Sequence, residues 1–362
     1  MSFGLRALGL VGLLVGLLAA LVPLAGCGGA ASARPRIPAC AGAACLPGPG
    51  ISQAQVFVEP AAKTAPVVHA IQYATTSVWL EVYMLTDTPV LGALEEAAAR
   101  GVDVRVLLEQ HPYGDESTSP RLTLERLAAA GIQARANDPA YTYTHEKAMV
   151  IDGATAYIMT GNLTRSGLGG SSVAANREYG IIDSVPADVA AVAAIFQADW
   201  DRATPPAAAL ADPNLVISPV NARPRLAALI AGARTSLEVE DEEMYDTASE
   251  DALIAAAGRG VQVELVLPTP SGSPPGGSVP PTPDIARLAR GGVHVRYSIV
   301  LYMHAKLLLV DGQRAFVGSE NFSATSLDQN REVGVIVAAP DVVGTLAATF
   351  ATDWRFSAPF TP

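Results

Sequence analysis

Apolar and polar positions divide the chain into one long apolar run and two similar patterned stretches. Residues 7–24 are apolar, interrupted only by Gly9, Gly12, Gly16 and Pro23. Past residue 50 the pattern becomes periodic. A helix-like stretch at 66–75 precedes a strand at 77–84. An Ala/Leu-rich helix follows at 89–100, stopped by Gly101 where a left-handed C-cap is needed, and then a β-branched strand at 102–108. The same order returns at 224–233, 236–244, 249–258 with Gly260, and 261–267. Strand, helix, strand predicts a parallel crossover and an α/β sheet with helices on its faces.

The recurrence is residue by residue. Pro60, Ser77 and Glu81 reappear 159 positions later as Pro219, Ser236 and Glu240, and Leu94-x5-Arg100-Gly101-Val102 reappears as Leu253-x5-Arg259-Gly260-Val261. A duplicated unit of about 155 residues follows, joined through the Pro/Ala-rich residues 203–213. The copies differ most after their second central strand. There the first has residues 111–120 and the second the Pro/Gly/Ser-dense residues 268–283, each a candidate rim of a site.

Both copies then carry a hairpin signal. Residues 144–152 alternate up to Asp152-Gly153, and the chain returns over 154–162. A two-residue turn puts Ile151 opposite Ala154, Lys147 opposite Ile158 and His145 opposite Thr160, so His145, Lys147, Thr160 and Asn162 share one face. The count on Asp311-Gly312 gathers His304, Lys306, Ser319 and Asn321 in the same way. Such a face lines a cleft. Two lysines, two asparagines and two hydroxyls suit an oxyanion such as a phosphodiester, and two histidines supply a nucleophile and a proton donor near neutral pH. A metal held by His and Asp could do similar work. However, each Asp sits five residues beyond its Lys, at the turn, and central lysines repel a cation; neither metal nor cofactor is expected.

Composition narrows this further. Charged residues are 16% and hydrophobic ones 50% of 362, which excludes pervasive disorder. The net charge of -11 disfavours a protein that tracks nucleic-acid phosphates. Arg6 followed by the apolar run reads as an export signal, and Leu24-Ala25-Gly26-Cys27 resembles the lipobox of bacterial lipoproteins. That resemblance implies lipidation at Cys27 and a protein anchored to the cell-envelope membrane on its extracytoplasmic side; an uncleaved membrane helix is the alternative. Loss of Arg6 with the leader leaves 23 basic against 35 acidic residues, a net of -12. Cys40 and Cys45 then remain outside the cytoplasm, as a disulfide or as idle thiols in a Gly/Ala/Pro-rich tether. The expected layout is a leader at 1–27, a flexible tether at 28–52, and repeats at 53–206 and 207–362.

The sequence H-x-K-x4-D followed by G-S-x-N, twice in one chain, resembles the signature of the phospholipase D superfamily. The second copy matches throughout with His304, Lys306, Asp311, Gly318, Ser319 and Asn321; the first has Met159-Thr160 in place of Gly-Ser. Asn176-Arg177-Glu178 and Asn330-Arg331-Glu332 resemble the family's trailing element. The resemblance implies two pseudo-twofold-related α/β lobes, each a mixed β-sheet flanked by helices, with one active site between them in a monomer. It assigns His145, Lys147, Asp152, His304, Lys306 and Asp311 to catalysis, with His145 as nucleophile forming a phosphohistidine and His304 as acid and base. Asn162, Asn321, Thr160 and Ser319 would bind phosphate, and Glu178 and Glu332 would orient the histidines; Asp152 and Asp311 could instead fix the turns.

The expected substrate is a phospholipid at a membrane surface, attacked by water or an alcohol. Two other readings are a nuclease of the same superfamily and a non-catalytic, anion-binding envelope lipoprotein. Charges at 238–243 read as a solvated strand end, Glu81 and Glu240 as possible borders of the cleft, and Trp79, Trp200 and Trp354 as core or rim.

Overall fold

A computed structural model describes residues 40–113, 119–171, 175–270 and 282–360. The leader, Cys27, residues 28–39 of the tether, and parts of the loops at 111–120 and 268–283 lie outside the described residues.

The first lobe runs β1 (Ala54–Glu59), α1 (Ala65–Tyr73), β2 (Ser77–Val82), α2 (Thr88–Ala99), β3 (Asp103–Leu108), α3 (Ser119–Ala129), β4 (Gln133–Ala136), β5 (Lys147–Ile151), β6 (Thr155–Met159), β7 (Asn176–Asp183) and α4 (Pro186–Asp201). After α5 (Ala207–Leu210), the second lobe runs β8 (Leu215–Ser218), α6 (Ala222–Gly232), β9 (Ser236–Glu240), α7 (Thr247–Gly258), β10 (Gln262–Pro268), α8 (Pro283–Arg290), β11 (His294–Ser298), β12 (Tyr302–Met303), β13 (Leu307–Val310), β14 (Arg314–Gly318), α9 (Ala324–Asp328), β15 (Glu332–Val337), α10 (Pro340–Phe356) and β16 (Ala358–Pro359). The two sheets are ordered β1-β7-β6-β5-β2-β3-β4 and β16-β11-β10-β9-β13-β14-β15-β8.

The crossovers form as their signals predict. Asp87 caps α2 by accepting from the Val90 amide, Asp246 caps α7 through Ser249, and Gly101 and Gly260 both sit at φ +89°. The strands on either side, β2 with β3 and β9 with β10, pair in parallel, while the hairpins add antiparallel strands and make each sheet mixed. Alternation along β5 and β13 divides their side chains between two cores. Ala148, Val150, Leu307 and Leu309 enter one hydrophobic core shared by both lobes, with Ile158, Val317, Val333, Ile195 and Leu346. Met149 and Ile151 face a core confined to the first lobe, and Leu308 and Val310 one confined to the second. The shared core fixes the two hairpins against each other.

The expectation of a flexible tether fails for residues 40–52. Cys40 and Cys45 form a disulfide around a single 3-10 turn (Gly42–Cys45). Arg225 donates to the Ala44 carbonyl, Gly48 N–H donates to Pro213 O at 2.8 Å, and Ile51 is buried against Val337. These contacts are largely made by main chain, so they leave no apolar period in the sequence.

Both hairpins turn through one residue more than expected. Asp152 and Gly153 are left-handed (φ +55° and +62°), Ala154 belongs to the turn, and Ile151 pairs with Thr155. In the second lobe Leu307 pairs with Val317, the same one-residue shift. A shift of one residue turns every returning side chain to the other face.

Candidate active site

The residues just before each histidine pair with the opposite lobe. Thr144 bridges to Arg331, with the amides of His145 and Glu146 both donating to Arg331 O at 2.9 Å, while β12 pairs with Asn176 and Arg177 of β7. Each histidine therefore meets the other lobe's glutamate. His145 Nδ1 lies 2.9 Å from Glu332 Oε2, and His304 Nδ1 lies 2.7 Å from Glu178 Oε1. Glu332 is itself held by Ser326 (2.8 Å) and Asn330 (3.0 Å), and Glu178 by Thr160 (2.7 Å) and Asn176 (2.9 Å). A carboxylate on Nδ1 fixes the ring and leaves Nε2 as the reactive nitrogen.

The same exchange recurs one layer below. Arg177 pairs with Asp353 at 2.9 Å, and Arg331 pairs with Asp199 at 2.7 Å while donating to Ser218 O and to the Tyr141 hydroxyl. These four residues and the Asn-Arg-Glu elements recur at a spacing of 154 rather than 159, a second register in the sequence that the hairpin motif alone does not reveal.

Lys147 and Lys306 are both buried and donate to the carbonyls of His145 and His304. Burial, aided by the charges of Lys147 and Lys306, lowers the His145 pKa to about 4 against the pull of Glu332. Burial likewise lowers Lys147 to about 7. Lys306 goes the other way: burial is outweighed by Glu242, Glu178 and Asp241, and its pKa rises. Glu178 and Glu332 are lowered despite complete burial, because His304 with Lys306 and His145 with Lys147 stabilise their charges.

Two openings reach this centre. One, of about 500 Å³, is lined by His145, Tyr83 and Tyr143 of the first lobe and Asn321 of the second. The other, of about 550 Å³, joins His304 to Asn162 and Asn176 of the first lobe. The side-chain oxygens of Asn162 and Asn321 are buried without a protein partner. Histidine and asparagine thus meet across the lobes, and the arrangement offers an oxyanion two ammoniums, two amides and two imidazoles.

Four sequence expectations change. Thr160 and Ser319 do not reach the cleft: both are fully buried, and each hydroxyl accepts from the next strand's amide, Tyr179 at 2.9 Å and Val333 at 3.2 Å. The register shift is the reason, and Thr160 orients Glu178 instead. Asp152 and Asp311 also lie away from the histidines. Asp152 accepts from the amides of Thr75, Thr76 and Ser77, and Asp311 from those of Arg234, Thr235 and Ser236, which holds both carboxyls below their usual range despite some burial. They pin the hairpin tips to the chain entering β2 and β9. Asp152→Ala should therefore cost about 1–2 kcal/mol of stability and leave turnover by the folded protein within a few-fold, read by paired urea melts and initial rates; loss of turnover at full stability would restore a catalytic role.

The acidic run at 238–243 is not a solvated strand end. Glu240 and Asp241 are fully buried, and Glu242 Oε2 lies 3.1 Å from Lys306 Nζ and 3.3 Å from His304 Nε2. The repeat could have flagged it, since Glu242 occupies the position of Tyr83, whose ring packs on His145 at 4.6 Å. Among the described residues Glu81, Glu146 and Asp199 bring ligand oxygens within 4.8 Å of one another, enough for a metal ion. Arg331 already supplies cationic charge there, and burial raises the pKa of all three, Glu146 to about 8. That chemistry suits shared protons beside Arg331 better than a cation.

Comparison with known proteins agrees with this geometry. The family model described as "Cardiolipin synthase, PLD-like domain" matches residues 67–200 and 226–354. Over 141 residues the chain is 30% identical to the mitochondrial cardiolipin hydrolase of Danio rerio, covering 37% of this chain and 58% of that protein. Over 112 residues it is 32% identical to phospholipase D Y of Dictyostelium discoideum, covering 29% and 24%. The chain thus matches less than two thirds of either relative's length. The crystal structure of phosphatidylserine synthase from Haemophilus influenzae Rd KW20 superposes with a TM-score of 0.66 at 11% identity, covering 87% of this chain and 89% of that one. Polyphosphate kinase from Porphyromonas gingivalis gives 0.65 at 17%, covering 84% and 47%. The likeness to these two structures is one of fold. No helix among the described residues is long and apolar enough to cross a membrane.

Proposed function

This chain belongs to the phospholipase D superfamily, and from that premise we propose that it is a phosphodiesterase acting on phospholipids through a phosphohistidine, by hydrolysis or phosphatidyl transfer. The crossed pairing of each histidine with the opposite lobe's glutamate carries this reading, because it makes one two-histidine centre from two half-sites. His145 is the better nucleophile: burial and two neighbouring ammoniums keep its ring neutral. His304 has Glu178 on Nδ1 and Glu242 facing Nε2, at the opposite end of the centre from His145, and takes the acid role.

In the first step His145 Nε2 bonds to phosphorus as the bond to the leaving alcohol's oxygen breaks, and His304 gives that oxygen its proton. In the second, His304 takes a proton from water or an alcohol. The oxygen so freed bonds to phosphorus and the P–N bond to His145 breaks. Lys147, Lys306, Asn162 and Asn321 hold the non-bridging oxygens as charge builds on them.

A pH profile follows. Attack needs neutral His145, so kcat/KM rises with pH through about 4; oxyanion support needs protonated Lys147, so it falls as pH rises through about 7. Lys147→Arg, which does not titrate, should move the alkaline limb upward; a limb that stays in place would remove Lys147 from this role.

Incubating the purified protein with labelled phosphatidylcholine, phosphatidylglycerol and single-stranded DNA tests the assignment. Lipid turnover supports it, and DNA cleavage without lipid turnover overturns the substrate class. We further propose that the chain is exported and lipid-anchored at Cys27, which would bring the cleft to its substrate's surface. Cys27→Ala should shift the protein out of the membrane fraction; retention there would favour a spanning leader.

A further inference from the structure

The two half-sites are not equally open. In the first lobe Lys147 donates to the His145 carbonyl, and its ammonium sits 5.2 Å from the centre of the Tyr83 ring. In the second lobe the position of Tyr83 is taken by Glu242. A single oxygen, Glu242 Oε2, lies 3.1 Å from Lys306 Nζ and 3.3 Å from His304 Nε2. The other oxygen, Oε1, accepts from the Tyr302 hydroxyl at 3.0 Å. Burial raises the Glu242 carboxyl, but His304 and Lys306 beside it hold it below the usual carboxylate range, so it is an anion at neutral pH.

That oxygen stands where the second lobe needs the substrate's. Glu178 holds Nδ1 of His304, so Nε2 is the nitrogen left to meet a leaving oxygen. An ammonium has three donors, and Lys306 gives one to the His304 carbonyl and one to Glu242. Carboxylate and phosphodiester are both oxyanions, and two of them on one imidazole and one ammonium repel each other. Room for the carboxylate lies beside it, in a cavity of about 240 Å³ lined by Glu242, Glu243, Thr269, Tyr245, Tyr297 and Tyr302. A water takes roughly 30 Å³ of the liquid, so this space admits a carboxylate and part of its hydration. Tyr302 also borders the opening at His304 and therefore lies along the path between the two. Glu243 makes the cavity a poorer home for a carboxylate than Lys306 and His304, so the position on Lys306 is the resting one.

We propose that Glu242 is a built-in plug of the second half-site: at rest its carboxylate occupies the place of a phosphoryl oxygen, and an incoming oxyanion displaces it into this cavity. The proposal rests on the phosphodiesterase reading for the identity of the displacing anion, and adds to that reading a step that opens the site. Displacement frees His304 Nε2 and one N–H of Lys306 together, so the second half-site becomes competent only when an anion is there to use it. The plug weakens binding by the fraction of molecules that are open. An open form populated at about a tenth or less raises the apparent Kd at least about tenfold.

Calorimetry with inorganic phosphate on the full chain and its Glu242→Gln and Glu242→Asp variants tests this. Glu242→Gln removes the charge and should bind phosphate at least about tenfold more tightly than the wild type. Glu242→Asp keeps the charge but draws the carboxylate back by one methylene, so it should also bind more tightly. Equal affinity in Glu242→Gln and the wild type overturns the proposal. An Asp variant that matches the wild type does so too, since a field effect needs no displacement. Failure of all three to bind phosphate overturns it as well, because there is then no anion site to plug. With bis(p-nitrophenyl) phosphate, KM in Glu242→Gln should fall by the same factor as the phosphate Kd, a shift that a purely structural role would not produce. If no protein turns over this diester or the labelled lipids, the phosphodiesterase reading fails, while calorimetry still judges the plug. If the variants do not fold, a crystal structure of the wild type grown with orthovanadate decides. The anion on His304 Nε2 and Lys306 with Glu242 turned into the cavity supports the proposal, and an unmoved Glu242 overturns it.

Discussion

Replacing either His145 or His304 with alanine should lower phosphodiester turnover by at least roughly 10⁴-fold, with little further loss in the double variant. The equality follows from the geometry. In the proposed mechanism one ring carries the phosphoryl group and the other moves the proton, and each ring is held by a carboxylate of the opposite lobe. Neither lobe contains a complete set, so no half of the duplication can compensate for the other. The structural background of the variants should be quiet, because both rings sit at the cleft rather than in the shared core. Initial rates with folded protein check this. Full activity in either variant would remove that histidine from the chemistry, and strictly additive losses would argue that the two act independently.

The second large effect concerns stability. Arg331 is fully buried and joins Asp199 of the first lobe to the strand that carries Glu332. Removing one partner of a buried pair leaves the other charge stranded, at a cost of about 3–5 kcal/mol. Arg331→Met should therefore unfold at markedly lower urea, with the unpaired Asp199 adding to a cluster that already contains Glu81 and Glu146. Arg121, paired with Glu125 on the surface, serves as the control and should change stability by about 0–1 kcal/mol. If Arg331→Met matched that control, the inter-lobe clamp would be dispensable and the lobes would be held by the apolar core alone.

Much of this architecture is legible in the residues themselves. The 159-residue repeat gives two equivalent units, and the caps at Asp87 and Asp246 with the left-handed Gly101 and Gly260 mark the crossovers. Three things are not legible, for separate reasons. The hairpin turn holds three residues because Asp152 and Asp311 turn left-handed while binding amides some 75 positions away, a tertiary contact invisible to a local turn rule. That single shift removes Thr160 and Ser319 from the cleft. Which glutamate serves which histidine depends on strand pairing between lobes, and two equivalent motifs give no preference between the straight and crossed arrangements. Glu242 is hidden because a run of acids ordinarily marks solvent, whereas here the Lys306 ammonium and the His304 ring draw it inward.

The central claim is that one histidine from each lobe forms a single centre in which His145 takes the phosphoryl group. It is tested most directly by mixing His304→Ala protein with bis(p-nitrophenyl) phosphate, whose leaving group needs no proton. The account predicts a burst of about one p-nitrophenolate per protein, followed by slow turnover, and a phosphoryl adduct on the peptide containing His145 after quenching; His145→Ala should give neither. An adduct on His304 in the His145→Ala protein, or no adduct in either, would contradict it.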